Sequence, residues 1–140
     1  MALAFIITLE RDLTDPSAYA KYTKAGAGKA LARESDRLDT AARGLRVEQP
    51  SSLLSESQSA LAEQLKADGF DPAKMRLPPE RWFPAAEGLK TVRALAAHVE
   101  ANLNNFKQPN AILRDLRAAE ALLAQAESAG IQFHFTKTNL

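Results

Sequence analysis

The chain contains no cysteine, which excludes disulfides, thiolate catalysis and cysteine-ligated zinc or iron–sulfur clusters. That absence fits a reducing compartment. Long hydrophobic runs are missing as well. The first apolar stretch, Leu3 to Leu9, is too short to span a membrane and meets Glu10-Arg11-Asp12 at once. It has neither a basic leader region nor a small-residue cleavage site, so it does not read as a signal peptide. No charge of one sign dominates: 18 basic and 17 acidic residues, interleaved along the chain, give a formal net charge of +1. Proteins held by nucleic-acid phosphates usually carry a basic excess or stripe, so a nucleic-acid partner is disfavoured. Histidine occurs only at His98 and His134, without HExxH-type spacing, and no metal site is assigned. There is no internal repeat and no low-complexity tract. These absences together lead to the expectation of a cytoplasmic protein with no membrane association and no cofactor.

What is present suits one domain. A chain of 140 residues with 46% hydrophobic and 25% charged residues can bury a core without staples. Residues 3–9 are rich in strand formers: the odd positions are apolar, and Ile6 adds an apolar residue on the other side, which predicts a buried strand. Residues 10–27 read as a long loop with at most a short helical turn, punctuated by Asp15-Pro16-Ser17. Residues 29–43 are predicted helical, with Leu31, Leu38, Ala42 and Leu45 as the apolar face and Gly44 as the stop. The order helix, glycine, apolar residue recurs at Gly69-Phe70 and Gly130-Ile131, the pattern of a left-handed C′ residue followed by a side chain that folds back. Arg46-Val47-Glu48 is the only candidate for a third strand. Ser55 and Gln58 form a capping box that opens a short, weakly apolar, peripheral helix to about residue 68.

The stretch from Leu77 to Leu89 holds the only tryptophan and three of the seven prolines, and it reads as a rigid lead-in to a helix over residues 85–103. Leu89, Val92, Leu95, Val99 and Leu103 form that helix's stripe. Asn110 is predicted to cap the last helix, whose stripe runs through Ile112, Leu116, Ala119, Leu123 and Ala126. Two consecutive amphipathic helices with a short connection predict an antiparallel hairpin. After Gly130, Ile131, Phe133 and Phe135 alternate with Gln132, His134 and Thr136, which predicts a half-exposed strand. The expected fold is α+β, with N- and C-terminal strands in a small sheet packed against an antiparallel helical hairpin plus two smaller helices. Two strands alone are marginal, so cover by the hairpin, a third strand or pairing across a homodimer is required.

Candidate chemistry is sparse. Residues 23–30 resemble a phosphate loop only superficially: Thr23 stands where the first glycine belongs and Ala30 where Ser or Thr follows the lysine. Tyr19, Lys21, Tyr22, Lys24 and Lys29 interleave aromatics with positive charge, a weak sign of single-strand stacking. His98 reads as a boundary residue and His134 as a surface residue. Glu34, Asp36 and Asp39 have the pattern of a solvated helix face, and Glu87 suits the first turn of its helix electrostatically. No serine occupies a nucleophile elbow, and no catalytic residue is assigned. The sharpest candidate is a binding site of Arg81, Trp82, Phe83 and Glu87, because Arg and Trp are enriched in binding hot spots.

The strand from Phe5 to Glu10, the helix opened by Gly28-Lys29-Ala30-Leu31, the stretch Trp82-Phe83-Pro84-Ala85-Ala86-Glu87-Gly88-Leu89 and the closing Gly130-Ile131-Gln132-Phe133-His134-Phe135 together resemble small uncharacterised bacterial single-domain α+β proteins. The resemblance transfers no activity. By analogy with other small bacterial proteins, it implies a non-enzymatic protein–protein interaction module of the kind that includes immunity-type inhibitors of bacterial toxins. The alternative is a small enzyme or small-ligand-binding protein, which requires a deep pocket with converging polar groups, for example His98 or His134 near Glu34, Glu80 or Glu87.

Overall fold

Strand-forming residues at the two ends of the chain find each other. In the computed structural model, which describes residues 3–24 and 28–139, β1 (Leu3–Leu9) and β2 (Phe133–Asn139) pair antiparallel, with Leu9 opposite Phe133 and Ile7 opposite Phe135. Between them lie α1 (Ser17–Lys24), α2 (Lys29–Arg33), α3 (Ser35–Leu45), α4 (Gln58–Ala67), α5 (Ala85–Ala101) and α6 (Pro109–Ser128), with short 3-10 turns at Pro50–Leu53, Pro72–Lys74 and Leu103–Asn105. The fold is α+β, as expected.

The helical hairpin supplies half of the buried apolar core. Arg93 pairs with Glu120 and Glu100 with Arg117, so later residues of α5 meet earlier residues of α6 and the two helices run antiparallel. Leu89, Val92, Leu95, Val99, Ile112, Leu116, Leu123 and Ala126 are all buried along their seam. Phe5, Ile7, Phe133 and Phe135 project from one face of the sheet into the same cluster. Gly88 is what lets Phe133 sit down on α5: a Cβ there would come within 2.4 Å of the ring. Gly28 is fixed in the same way, since a Cβ would meet the Phe5 carbonyl at 2.3 Å while its own carbonyl accepts the Phe5 N–H at 3.0 Å.

Two strands suffice because other backbone and side-chain groups finish both edges, as an exposed edge would otherwise leave donors and acceptors open. On β1, Ile7 N–H donates to the Tyr22 hydroxyl at 3.0 Å and the Tyr19 hydroxyl donates to Ile7 O at 2.9 Å. On β2, Phe83 and Phe133 exchange both backbone bonds, at 2.8 and 2.9 Å, and Ser55 N–H donates to Phe135 O. The segment 46–48 forms no strand. Burial first, and the neighbouring Tyr19 and Asp115 second, push the Tyr22 hydroxyl pKa up; its bond from Ile7 opposes them. Burial also raises that of Tyr19.

Several local boundaries differ from the sequence expectation. Residues 17–24 make two helical turns inside the expected loop. The first long helix is broken at Glu34 into α2 and α3. Its stop is Arg46 in the left-handed region at φ 60°, two residues beyond Gly44, because Val47 packs on the core whereas Leu45 stays 39% exposed. Gly69 and Gly130 do stop their helices at positive φ, and the N–H groups of Phe70 and Ile131 fold back onto Leu65 O and Ala126 O. Ser57, not Ser55, caps α4, accepting from Ala60 N–H, while the Ser55 side chain accepts from Arg81 N–H. The helix so opened buries none of its residues, as its weak stripe implied.

The cap of α6 comes from across the chain rather than from Asn110. Glu34, only 5% exposed, accepts the N–H groups of Lys107 at 2.9 Å and Gln108 at 3.3 Å, where a carboxylate also meets the positive end of the helix. Glu34 is therefore not part of a solvated face, unlike the exposed Asp36. Asp115 performs a similar task, accepting Ala30 N–H at 3.0 Å at the start of α2.

Candidate functional site

Between Met75 and α5 the chain is non-helical, held off the helical state by Pro78, Pro79 and Pro84, and it passes along the outer edge of β2 through the Phe83–Phe133 bonds. Successive side chains along this strap turn to opposite sides. Glu80 and Trp82 meet His134, whereas Arg81 lies over the Phe83 ring at 5.2 Å.

His134 is the centre of the first side. Its ring is 1% exposed, which corrects the expectation of a surface histidine. The alternation of β2 does place it on the face opposite Phe133 and Phe135, but there Glu80 and Trp82 of the strap close over the ring. Nε2 lies 2.7 Å from Glu80 Oε2, and the Trp82 ring sits 4.6 Å away, centroid to centroid, tilted by 42°. Nδ1 is 3.3 Å from Thr136 Oγ1 and 3.2 Å from Phe135 O. Thr136 Oγ1 is in turn 2.7 Å from Thr8 Oγ1, across the strand pair. The result is a continuous hydrogen-bonded chain, Thr8–Thr136–His134–Glu80, drawn from both strands and the strap.

This chain lines a groove of about 750 Å³ between the second face of the sheet and α4, with Glu56 and Gln64 on the opposite wall. Such a volume falls within the range that takes small molecules. The Glu80 side chain is 27% exposed there, so one member of the buried pair remains in reach of a ligand.

The four expected binding residues do not share one surface. Arg81, Phe83 and Glu87 line a smaller hollow of about 400 Å³ with Glu48 and Ser52, and Trp82 turns away from it towards His134. His98 is a boundary residue, half-buried and edge-on to Phe106 at 6.2 Å, remote from any carboxylate bond. Tyr22 is buried against β1 and offers no stacking platform. Ala25, Gly26 and Ala27, the middle of the phosphate-loop-like segment, lie outside the described residues. Among the described residues no group of three or more His, Asp or Glu is placed to hold a metal ion, and no helix is long and apolar enough to cross a membrane.

Thr8 and Thr136 escaped the sequence reading. Their only signal was position: both are polar residues at even strand positions, the same face as His134, beside the apolar odd positions Phe5, Ile7, Leu9, Phe133 and Phe135. No family model, curated protein or solved structure matches this chain. The functional reading therefore rests on its own geometry.

Proposed function

We propose that this protein binds a small polar molecule in the groove over His134. The observation that supports this reading is a nearly inaccessible histidine held through one ring nitrogen by a carboxylate and through the other by paired threonine hydroxyls, at the wall of a groove large enough for a ligand. Burying polar groups costs free energy that apolar side chains of the same shape would not, and a groove lined by them is where that cost is offset by recognition. Screening a library of small polar compounds by ¹⁵N-amide shifts tests it. Binders should shift Thr8, Glu80, His134 and Thr136 together and change the fluorescence of Trp82. Binders that cluster on any other surface would overturn the assignment.

A second reading is supported by the other side of the strap. The exposed Arg81 guanidinium lies over Phe83, beside Glu48 and Glu87, and arginine and aromatic residues are frequent anchors of protein interfaces. Here the protein is an interaction module, with an immunity-type inhibitor as the form the sequence resemblance suggests. Affinity capture from the native host checks it: a stoichiometric partner should be lost with Arg81→Ala or Glu87→Ala and retained with His134→Leu. Retention by all three variants would remove this surface from consideration.

A further inference from the structure

Hydrogen-bond direction in the groove narrows the ligand class. An ionised carboxylate only accepts, so whenever the imidazole is neutral the 2.7 Å contact with Glu80 places its proton on Nε2. Nδ1 is then an acceptor. The Phe135 carbonyl cannot donate to it, which leaves the Thr136 hydroxyl as the donor within reach. With its own proton committed there, Thr136 Oγ1 accepts from Thr8 Oγ1. Every proton of the chain is thus spent inward, and the Thr8 oxygen and the second Glu80 oxygen keep acceptor capacity for a ligand. Glu56 adds a second carboxylate to the groove wall. Lys137 is the one basic residue among the described residues of the lining; it is exposed and answers one carboxylate at most.

Resting on the ligand-site reading, we infer that the groove takes a small organic cation, an ammonium or guanidinium head group that donates to Glu80 and Thr8. An anion of the same size would meet two carboxylates against one exposed lysine, while the hydroxyl and amide groups of Ser57, Gln64 and Thr138 can serve either sign. A cation gains charge-assisted bonds at the same positions.

Three four-carbon probes of matched size test the inference at pH 8 and low salt: n-butylammonium chloride, sodium butyrate and n-butanol, each titrated to tens of millimolar. Trp82 fluorescence and ¹⁵N-amide shifts are the two readouts. Butylammonium should saturate and shift Thr8, Glu80, His134 and Thr136, and butyrate should not. Glu80→Gln, which can still accept from His134, should weaken butylammonium about tenfold or more, since bonds to charged groups are worth that much. Glu56→Gln, which leaves the His134–Glu80 hydrogen bond untouched, should weaken it less, so that a folding defect at Glu80 cannot mimic the whole effect. Butyrate or butanol binding in the groove as well as the ammonium would overturn the cation class while leaving a ligand site in place. If none of the three moves the groove amides, both the cation class and the ligand site are overturned.

Discussion

Each face of the terminal sheet holds fully buried rings, and the two faces are chemically opposite. On one face Ile7, Phe133 and Phe135 are at most 1% exposed and surrounded by apolar side chains of the helical hairpin. On the other, His134 is 1% exposed but surrounded by a carboxylate, two hydroxyls and an indole. The first arrangement follows from the general preference for apolar burial and holds the fold together. The second gives up part of that gain, because desolvating an imidazole and hydroxyls is only partly returned by their mutual bonds. The proposed ligand site rests on this polar network, which occupies a sheet face that aliphatic residues could have filled.

The comparison can be broken by mutation. Phe133→Ala should cost about 3–5 kcal/mol, the usual loss for a buried phenylalanine, read as a lowered urea midpoint at unchanged slope. Gly88→Ala, which drives a methyl into the Phe133 ring, should cost about 1–3 kcal/mol by overpacking and leave Trp82 fluorescence unchanged. His134→Leu, at the same burial as Phe133, should cost only about 1–2 kcal/mol, because the part-exposed Glu80 can be rehydrated, yet it should abolish ligand binding in the groove. A loss as large as that of Phe133→Ala would mean that the second face is as structural as the first.

The edges sharpen the comparison further. Tyr22→Phe should cost about 1–2 kcal/mol by leaving Ile7 N–H without its acceptor. The pH dependence of this edge has a definite sign. Folding raises the Tyr22 pKa, so its contribution is complete below the ordinary tyrosine value near 10 and declines as pH rises above that value towards the folded one. Urea midpoints of the parent chain should therefore fall on the alkaline side, and Tyr22→Phe should flatten that fall. The smallest effect concerns Trp82 alone: with the one tryptophan ring 4.6 Å from the ring of His134, its emission should change in His134→Leu.

The hairpin, the terminal strands and two of the three glycine stops were legible because each rests on local periodicity: apolar side chains every three to four residues in α5 and α6, every second residue in β1 and β2, and a left-handed residue where a helix must end. The stop at Arg46 was not, since it depends on Val47 reaching the core. The cap of α6 was not legible either, because Glu34 lies 73 residues away from the N–H group of Lys107 that it satisfies. The site was half-legible. His134 near Glu80 was one of several histidine–carboxylate pairings the sequence allowed, and nothing local singles it out because the two residues lie 54 positions apart.

The sequence by itself determined which segments are helix or strand and which side of each is apolar, because those properties come from side-chain direction repeated along a regular backbone. Only the tertiary structure decided that His134 on the polar side of β2 is buried, that Trp82 and Arg81 lie on opposite sides of the strap, and that Thr8, Thr136, His134 and Glu80 form one chain. The reason is that such groupings are made by segments distant along the chain whose meeting depends on how the whole core closes, and no local pattern encodes that distance.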